Sequence, residues 1–343
     1  MENKKENPIK RFLKIRGMGA ALIAFAALII IYLAFGLINN KVFTATNIHN
    51  LLRSMSKYLL IGVGQAYLLI TGNIDLSIGS VVAMSSMISA TLMSHGTPII
   101  PAILVALAAC LLAGLINGIL VGKFQLPPFI ATLGTMFCGR GVAYIVNNNR
   151  NTDAISSGIG KEAGDLFQNI FYYGKTFGLF NPFIIAFVVF LVFFFILSKT
   201  RTGRHIYAIG SNVEAAKLSG VSVFSTTTKA YLVSAFCSWI VGLILCAQAS
   251  MGNMEAGVSY EMYGVAAGVI GGISPLGGTG LLLGVLAGSA VWQTLENGLN
   301  MVGAQVGLQR IVIGVIVVFS VLLDVLFRGG SKVKAAKKAK KAE

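Results

Sequence analysis

Long apolar stretches separated by short polar segments dominate the chain. A bilayer core is spanned by a helix of about 20 apolar residues. By that measure the pattern predicts spans near 18–38, 57–71, 78–94, 98–122, 128–147, 180–198, 226–249, 262–273, 281–297 and 310–327. The second and eighth stretches are short, and glycine-containing segments follow each. The pattern predicts an all-α, polytopic membrane protein with about ten transmembrane helices and glycine-rich broken segments.

Charge along the chain predicts its orientation. Of the 343 residues 55% are hydrophobic and 11% charged, about half the charged share of a soluble domain. Basic residues crowd both ends, namely Lys4, Lys5, Lys10, Arg11, Lys14, Arg16, Arg328, Lys332, Lys334, Lys337, Lys338, Lys340 and Lys341. Basic residues beside membrane spans mark cytoplasmic ends. We therefore expect basic cytoplasmic tails at 1–17 and 329–343 and one transmembrane domain at 18–328.

An even number of spans places both ends on one side, and this alternation orients the longer loops. The polar segment 199–220 then lies in the cytoplasm, and its Lys199, Arg201, Arg204 and Lys217 agree with that side. Residues 148–179 become the longest external loop. The basic tails lack interleaved aromatic residues, so we expect membrane lipid beside them and no nucleic acid.

A weak internal repeat relates two parts of the chain. Shifted by 200 residues, 64–80 aligns with 264–280, with identities at Gly64/Gly264, Ala66/Ala266, Ile70/Ile270, Gly72/Gly272 and Leu76/Leu276. Asn117-Gly118 has a counterpart in Asn297-Gly298. The pattern favours two related halves around a central pathway, whether inverted or parallel.

The polar segment 71–80 holds the first pathway candidates, Asn73, Asp75 and Ser77. An acid at membrane depth costs about 2.5–3.5 kcal/mol on insertion scales, so its presence needs a reason. Asp75 is a pathway or gate residue in one interpretation. In the other it caps the helix that starts near Leu76, since Asp is a preferred N-cap. The two roles are compatible.

Arg140 is a second charged residue inside a predicted span, between Gly139 and Gly141. Two interpretations stay open. Its guanidinium pairs with an acid such as Asp75, or its long side chain reaches the outer interface.

The glycine-rich segment 268–280 contains no charge, and Pro275 and its glycines break a helix there. Freed backbone groups, with Ser274 and Pro275, are candidates for lining a path for a neutral polar solute. The alternative is close packing of helices through small residues.

Within the loop at 199–220, Glu214-Ala215-Ala216 is followed after three residues by Gly220. This spacing resembles the loop by which permease subunits of ABC importers dock on their ATPase. Most of the chain is similar to the permeases of the bacterial ribose/galactose/xylose class, in the superfamily shared with branched-chain amino-acid permeases. The similarity is carried by 71–80, Asn117-Gly118, 128–134 with Arg140-Gly141, 200–204, 208–212, 214–220, and 269–272 with Gly277-Gly278. Asn73, where the family often has glycine, and the long loop 148–179 depart from its pattern.

The resemblance implies a homodimeric permease in a bacterial cytoplasmic (inner) membrane that imports a monosaccharide. It implies a cytoplasmic ABC ATPase, which would carry the ATP and Mg²⁺, and a periplasmic or lipid-anchored sugar-binding protein outside. This chain itself is expected to hold no cofactor. The coupling helix would contain Glu214, Ala215, Ala216, Lys217, Leu218 and Gly220, with Ala215, Ala216 and Leu218 as an apolar face for a groove. The alternative is an ordinary cytoplasmic connector.

Other cargoes and mechanisms stay open. The cargo could instead be branched-chain amino acids or nucleosides, although few intramembrane charges argue mildly against amino acids. A stand-alone, ion-coupled secondary transporter would use Asp75 as its proton or sodium site.

Enzyme motifs are absent from the sequence. It contains no G-x4-GK[ST] phosphate loop, no HExxH and no GxSxG. Cys110, Cys138, Cys237 and Cys246 lie in apolar stretches without CxxC spacing. We therefore expect a transport subunit and not an enzyme, with no catalytic residue and no metal site.

Overall fold

The computed structural model describes residues 17–312, 314–315, 318–319 and 322. The predicted basic tails, apart from Gly17, and much of the tenth predicted span lie outside the described residues. The first half is helical: α1 (Met18–Ile38), a 3-10 turn (Asn40–Phe43), α2 (Ala45–Thr71), α3 (Ile78–Ser94), α4 (Ile99–Gly122) and α5 (Pro128–Ile145).

The second half begins with the predicted external loop, which folds into short elements. These are α6 (Ser156–Ile159), α7 (Lys161–Gln168), a π-helical turn (Asn169–Tyr173) and the strands β1 (Lys175–Thr176) and β2 (Leu179–Phe180). The strands pair antiparallel, with Lys175 opposite Phe180. Longer helices follow: α8 (Asn181–Lys199), α9 (Arg201–Ser211), α10 (Val213–Leu218), α11 (Val223–Ala249), α12 (Tyr260–Ile270) and α13 (Leu282–Met301). Residues 306–312 are also helical.

Several helices are suited to a bilayer. Among the described residues, α1, α4, α8 and α11 are long and apolar enough to span it, and α3 is a shorter apolar helix. Their outer faces expose large side chains such as Ile23, Ile100 and Phe195, as expected where lipid is the solvent. The prediction of an all-α membrane protein is confirmed, while the count of ten spans stays a prediction.

The core is built around α2, α3 and α11. Every residue from Tyr58 to Thr71 in α2 is buried, and so is every residue from Asp75 to Ala90. Helix α11 is buried along most of its length. By contrast α1, α4 and α8 each bury only a narrow face. The chain thus has an inner group of helices, which carries the broken segments, and an outer group that faces the surroundings.

Three interruptions divide the inner helices. Helix α2 ends at Gly72 (φ 77°), and residues 73–77 lead to α3; α12 ends before Gly272 (φ 82°), and residues 273–281 lead to α13. Both predicted glycine-rich breaks are therefore present. Gly72 and Gly272 share the left-handed conformation that glycine tolerates, although the internal repeat itself stays a prediction. A third interruption, 250–259 between α11 and α12, coincides with the connection between the predicted spans 226–249 and 262–273.

Small residues let α4 and α11 approach closely. A Cβ on Gly114 would lie 2.9 Å from the Tyr231 carbonyl oxygen, and one on Gly118 would lie 2.7 Å from the Thr228 Cα. Because the contacts on α11 run backwards as those on α4 advance, the two helices are antiparallel. Repeated small residues at a helix interface are a common basis for packing in membranes.

We expect Gly118→Val to destabilise the protein, because the new side chain enters the backbone of α11. Overpacking of this kind costs about 1–3 kcal/mol. The thermal midpoint of purified protein in detergent should fall. Gly134→Val is the matched control, since a Cβ on Gly134 meets nothing within 4 Å. Equal midpoints for the two variants would contradict the close contact.

Candidate functional site

Asp75 lies in the break between α2 and α3 and is only 3% exposed. Its Oδ1 accepts hydrogen bonds from the Ser77 amide (2.8 Å) and the Ser77 hydroxyl (2.5 Å). Its Oδ2 accepts one from the Ser234 hydroxyl of α11 (2.8 Å). An aspartate that accepts from the backbone two residues on mimics a turn and organises a helix start. Ser77, and not Asp75, occupies the N-cap position of α3, so Asp75 organises the turn just before the helix and ties it to α11.

A chain of buried polar groups extends from Asp75 to two further helices. The Ser77 hydroxyl accepts from Asn117 Nδ2 of α4 (2.9 Å), and Asn117 Oδ1 accepts from the Thr135 hydroxyl of α5 (2.7 Å). The hydroxyl of Tyr231 donates to the Ile74 carbonyl (3.1 Å). Satisfied networks of this kind fix the relative positions of the elements that they join. The short segment before α3 is therefore attached to α4, α5 and α11.

Asn73 occupies the other end of the same break. Its backbone amide donates to the Leu68 carbonyl (2.9 Å) and its Nδ2 to the Thr71 hydroxyl (2.8 Å). Both contacts close the last turn of α2. Asn73 thus closes the end of one helix, and Asp75 organises the turn that precedes the next.

Arg140 binds the third interruption and not Asp75. Its Nη1 donates to the carbonyl oxygens of Met254 (2.6 Å) and Ala256 (3.0 Å). Within the described part of the chain Arg140 and Asp75 form no ion pair. The side chain of Tyr144, one turn further along α5, donates to the Glu255 carboxylate. Helix α5 therefore holds residues 250–259 through two side chains.

The third interruption also packs directly on the start of α3. A Cβ on Gly79 would lie 2.2 Å from the Gly257 carbonyl oxygen and 2.7 Å from Glu261 Oε2. Glu261, in the first turn of α12, is half-buried and within electrostatic reach of Arg140 and Asp75. The sequence analysis missed this residue because it lies just outside the eighth apolar stretch. Glu261 could have been found from the sequence as an acidic residue at the start of a predicted apolar helix.

The uncharged segment that contains Ser274 and Pro275 forms a compact loop. The Ser274 amide donates to the Thr279 carbonyl (3.1 Å), and the Ser274 hydroxyl accepts from the Leu276 amide (3.3 Å). The Gly278 amide donates to the Ile70 carbonyl at the end of α2 (2.8 Å). The two predicted breaks thus meet at the carboxyl end of α2.

Helices α9 and α10 form the predicted coupling segment. Asn212 caps α10 by accepting from the Ala215 amide (2.9 Å), and Lys217 pairs with Glu214 (2.8 Å). At the other end Gly220 (φ 79°) closes the helix, its amide donating to the Lys217 carbonyl (2.9 Å).

The faces of α10 differ from the prediction. Of the three residues expected to form its apolar outer face, Ala216 is buried against the protein, whereas Ala215 and Leu218 are exposed. Leu218 is 91% exposed, and Val213, which the sequence analysis did not include, is exposed as well. The helix therefore presents an apolar side chain beside a surface ion pair.

Uncharged polar groups without partners lie between α2, α12 and α13. Both amide atoms of Gln65, the hydroxyl of Ser289 and Oε1 of Gln293 are buried without a hydrogen-bond partner among the described residues. The Ser289 hydroxyl would lie 3.3 Å from a Cβ on Gly62, one turn from Gln65 on α2. Buried polar groups are normally paired with protein or water. The sequence analysis missed them because neutral residues inside apolar stretches do not stand out.

Comparison with known proteins identifies the family of this chain. The profile of the family described as "Branched-chain amino acid transport system / permease component" matches residues 47–321. The chain is 38% identical over 301 residues to the ribose import permease protein RbsC of Haemophilus influenzae, covering 88% of this chain and 92% of that protein. It is 35% identical over 300 residues to RbsC of Bacillus subtilis, with 88% and 91% covered.

A third relative is named for the transport of a different sugar. The D-allose transport system permease protein AlsC of Escherichia coli is 32% identical over 302 residues, covering 88% of this chain and 90% of that protein. No solved structure matches. The resemblance to carbohydrate importer permeases, first inferred from the motifs, is confirmed by these matches. The chain belongs to the family of permease components of branched-chain amino acid transport systems.

Proposed function

We propose that the chain is the membrane-spanning permease of an ATP-driven importer that translocates a monosaccharide. The observation that carries the proposal is α10, a capped helix that presents Leu218 beside the Glu214–Lys217 pair. An exposed apolar side chain flanked by charges suits the groove of a soluble partner. In this proposal the partner is a cytoplasmic ABC ATPase that binds ATP and Mg²⁺, and this chain performs no catalysis.

The choice of a sugar as cargo has two supports. Relatives are named for the import of ribose and D-allose. The unpartnered groups of Gln65, Ser289 and Gln293 are uncharged, and amide and hydroxyl groups can match the hydroxyls of a sugar. Asn73, Asp75, Ser77, Arg140, Ser274 and Pro275 remain the proposed pathway residues, and in this proposal they act by shaping the breaks.

The remaining partners follow from the same proposal. A second copy of the permease completes the pathway, and a periplasmic or lipid-anchored binding protein delivers the sugar outside. Loop 148–179 offers that protein an ordered surface, because Arg53 lies 4.7 Å and 4.3 Å from the ring centres of Tyr172 and Phe180. Phe177, at the tip of the β1–β2 hairpin, is 96% exposed. Both termini would lie in the cytoplasm of a bacterium.

A second candidate is a permease for branched-chain amino acids. The family description favours it, and so does the proximity of Arg140 and Glu261, which carry opposite charges. A zwitterionic cargo needs a partner for each of its charges. Nη1 of Arg140 already donates to two carbonyl oxygens, which favours the sugar. Competition of labelled ribose uptake by leucine and by unlabelled sugars separates the two cargoes.

The importer proposal predicts co-purification. Affinity purification of the tagged chain from its native membranes in mild detergent should recover an ABC ATPase, identified by mass spectrometry. The purified pair should import sugar into liposomes only with ATP and the binding protein. Recovery of the chain alone, together with uptake driven by an ion gradient, would contradict the proposal and support a secondary transporter.

Charge reversal at α10 should separate docking from folding. We expect Glu214→Arg to lower ATPase recovery and sugar uptake about tenfold or more, the effect of losing about 1.4 kcal/mol of binding. Gly220→Pro should act similarly, because proline holds φ near −65° where Gly220 has 79°. Membrane insertion should stay normal.

Glu162→Arg is the matched control for this charge reversal. Glu162 also lies exposed in the first turn of a short helix, α7, but on the predicted outer side. Its variant should keep ATPase recovery at the level of the unmodified protein. Normal uptake by both Glu214→Arg and Gly220→Pro would refute the coupling role.

Substitution of Asp75 distinguishes a helix cap from an ion site. Asp75→Asn keeps a carbonyl oxygen for the Ser77 amide, so ATP-dependent uptake should largely persist. Asp75→Ala leaves the buried groups of Ser77 and Ser234 unpaired, at about 1–3 kcal/mol, and should lower the thermal midpoint in detergent. Ser234→Ala, which removes only one donor, is the milder comparison. Complete loss of uptake in Asp75→Asn at an unchanged midpoint would favour an ion-binding carboxylate instead.

A further inference from the structure

Helix α9 touches the ends of both predicted breaks through its backbone. A Cβ on Gly210 would lie 1.8 Å from the Ile70 carbonyl oxygen and 2.5 Å from the Gly278 amide nitrogen. Gly210 lies inside a regular helix, so the lack of space, and not the backbone conformation, requires glycine there. The closest approach of α9 to the inner helices is thus a contact of main chain on main chain.

Further contacts extend this junction in both directions along α9. The hydroxyl of Tyr207 donates to the Gly280 carbonyl (2.8 Å). A Cβ on Gly278 would lie 2.8 Å from the Ser211 Cα, and one on Gly277 would lie 2.8 Å from the Gly210 carbonyl oxygen. We call this contact the α9 junction: Tyr207, Gly210 and Ser211 on one side, and Ile70, Gly72 and residues 277–280 on the other.

The two breaks are also joined to each other at the same place. The Gly278 amide donates to the Ile70 carbonyl (2.8 Å), and a Cβ on Gly277 would lie 3.0 Å from the Gly72 Cα. The junction is therefore three-way, and displacement of α9 has to move the end of α2, the loop before α13, or both. Close-packed backbone transmits such a displacement because it has little room to deform.

The position of the junction links the partner-facing surface to the interior. On one side α9 passes through the single residue Asn212 into α10, and the Asn212 amide and side chain each bond to a neighbouring helix. On the other side the chain reaches Asp75 within a few residues of Gly72, and α13 begins just after Gly280. Only a few residues therefore separate α10 from the buried polar network around Asp75, so a movement of α10 can be transmitted to that network.

We propose that the α9 junction converts movement of α10 into movement of the two broken segments, with Tyr207 and Gly210 as its positioning residues. The proposal rests on the proposed importer function, since it needs a partner that moves α10. A residue that only supports the fold would affect stability, whereas a transmitting residue sets how much sugar moves for each ATP hydrolysed. That ratio is the diagnostic measurement.

The experiment uses the permease with its co-purified ATPase and binding protein in liposomes. ATP hydrolysis and uptake of labelled sugar are measured together for Tyr207→Phe and Gly210→Ala. We expect both variants to retain the ATPase and to hydrolyse ATP. Uptake per ATP should fall several-fold in Tyr207→Phe, which loses one hydrogen bond, and tenfold or more in Gly210→Ala, whose Cβ displaces α9.

Tyr173→Phe is the matched control for Tyr207→Phe. It removes the same kind of bond, from a tyrosine hydroxyl to the Gln248 carbonyl (3.2 Å), on the predicted outer side, and its uptake per ATP should match the unmodified protein. Unchanged uptake per ATP in both junction variants would overturn the inference. Loss of the ATPase from both would also overturn it, because the junction would then serve docking. If the unmodified permease neither recovers an ATPase nor needs ATP, the proposed function fails instead.

Discussion

The need to satisfy backbone polar groups where helices break inside the protein controls the rest of this structure. Water is absent from the bilayer core, so each freed amide and carbonyl needs a protein partner. At the end of α2 the Ile70 carbonyl accepts from the Gly278 amide of a distant break. Beside it the Leu68 carbonyl accepts from the Asn73 amide. The two irregular segments therefore lie against each other at the end of α2.

The two intramembrane charges singled out in the sequence follow from the same constraint. Asp75 supplies an acceptor for the free Ser77 amide at the start of α3. Arg140 supplies donors for the Met254 and Ala256 carbonyls in the interruption before α12. An acid serves a helix start and a base serves exposed carbonyls, so each charge replaces the partner that a continuous helix would have provided. Their cost of burial is offset locally, without the ion pair that was one of the two interpretations of Arg140.

Local patterns predicted the elements better than the contacts between them. The lengths of the apolar stretches located the main helices, and the glycines at 72 and 272 marked two breaks. Both signals depend only on residues that are close together in the sequence. The interruption at 250–259 lies between two predicted spans, but its backbone conformation was not predicted, because its left-handed positions are Ser250 and Ser259 as well as Gly257. The partners of Arg140 and the crowding at Gly210 depend on residues far away in sequence. No local pattern in one sequence encodes such contacts.

Some buried polar groups lack a protein partner, and they affect how readily the inner helices can separate. Gln65, Ser289 and Gln293 have buried polar atoms between α2, α12 and α13 that lack a protein partner among the described residues. Separation of these helices would expose those atoms to solvent or to a polar solute, whereas the bond from the Gly278 amide to the Ile70 carbonyl opposes separation. The proposed importer function requires alternating access, in which two states of the permease differ by only a few kcal/mol, so that binding of a partner can make either state the more stable one. In that proposal, an interior with every polar group paired would be more stable, and the partner would have to supply more free energy to open it.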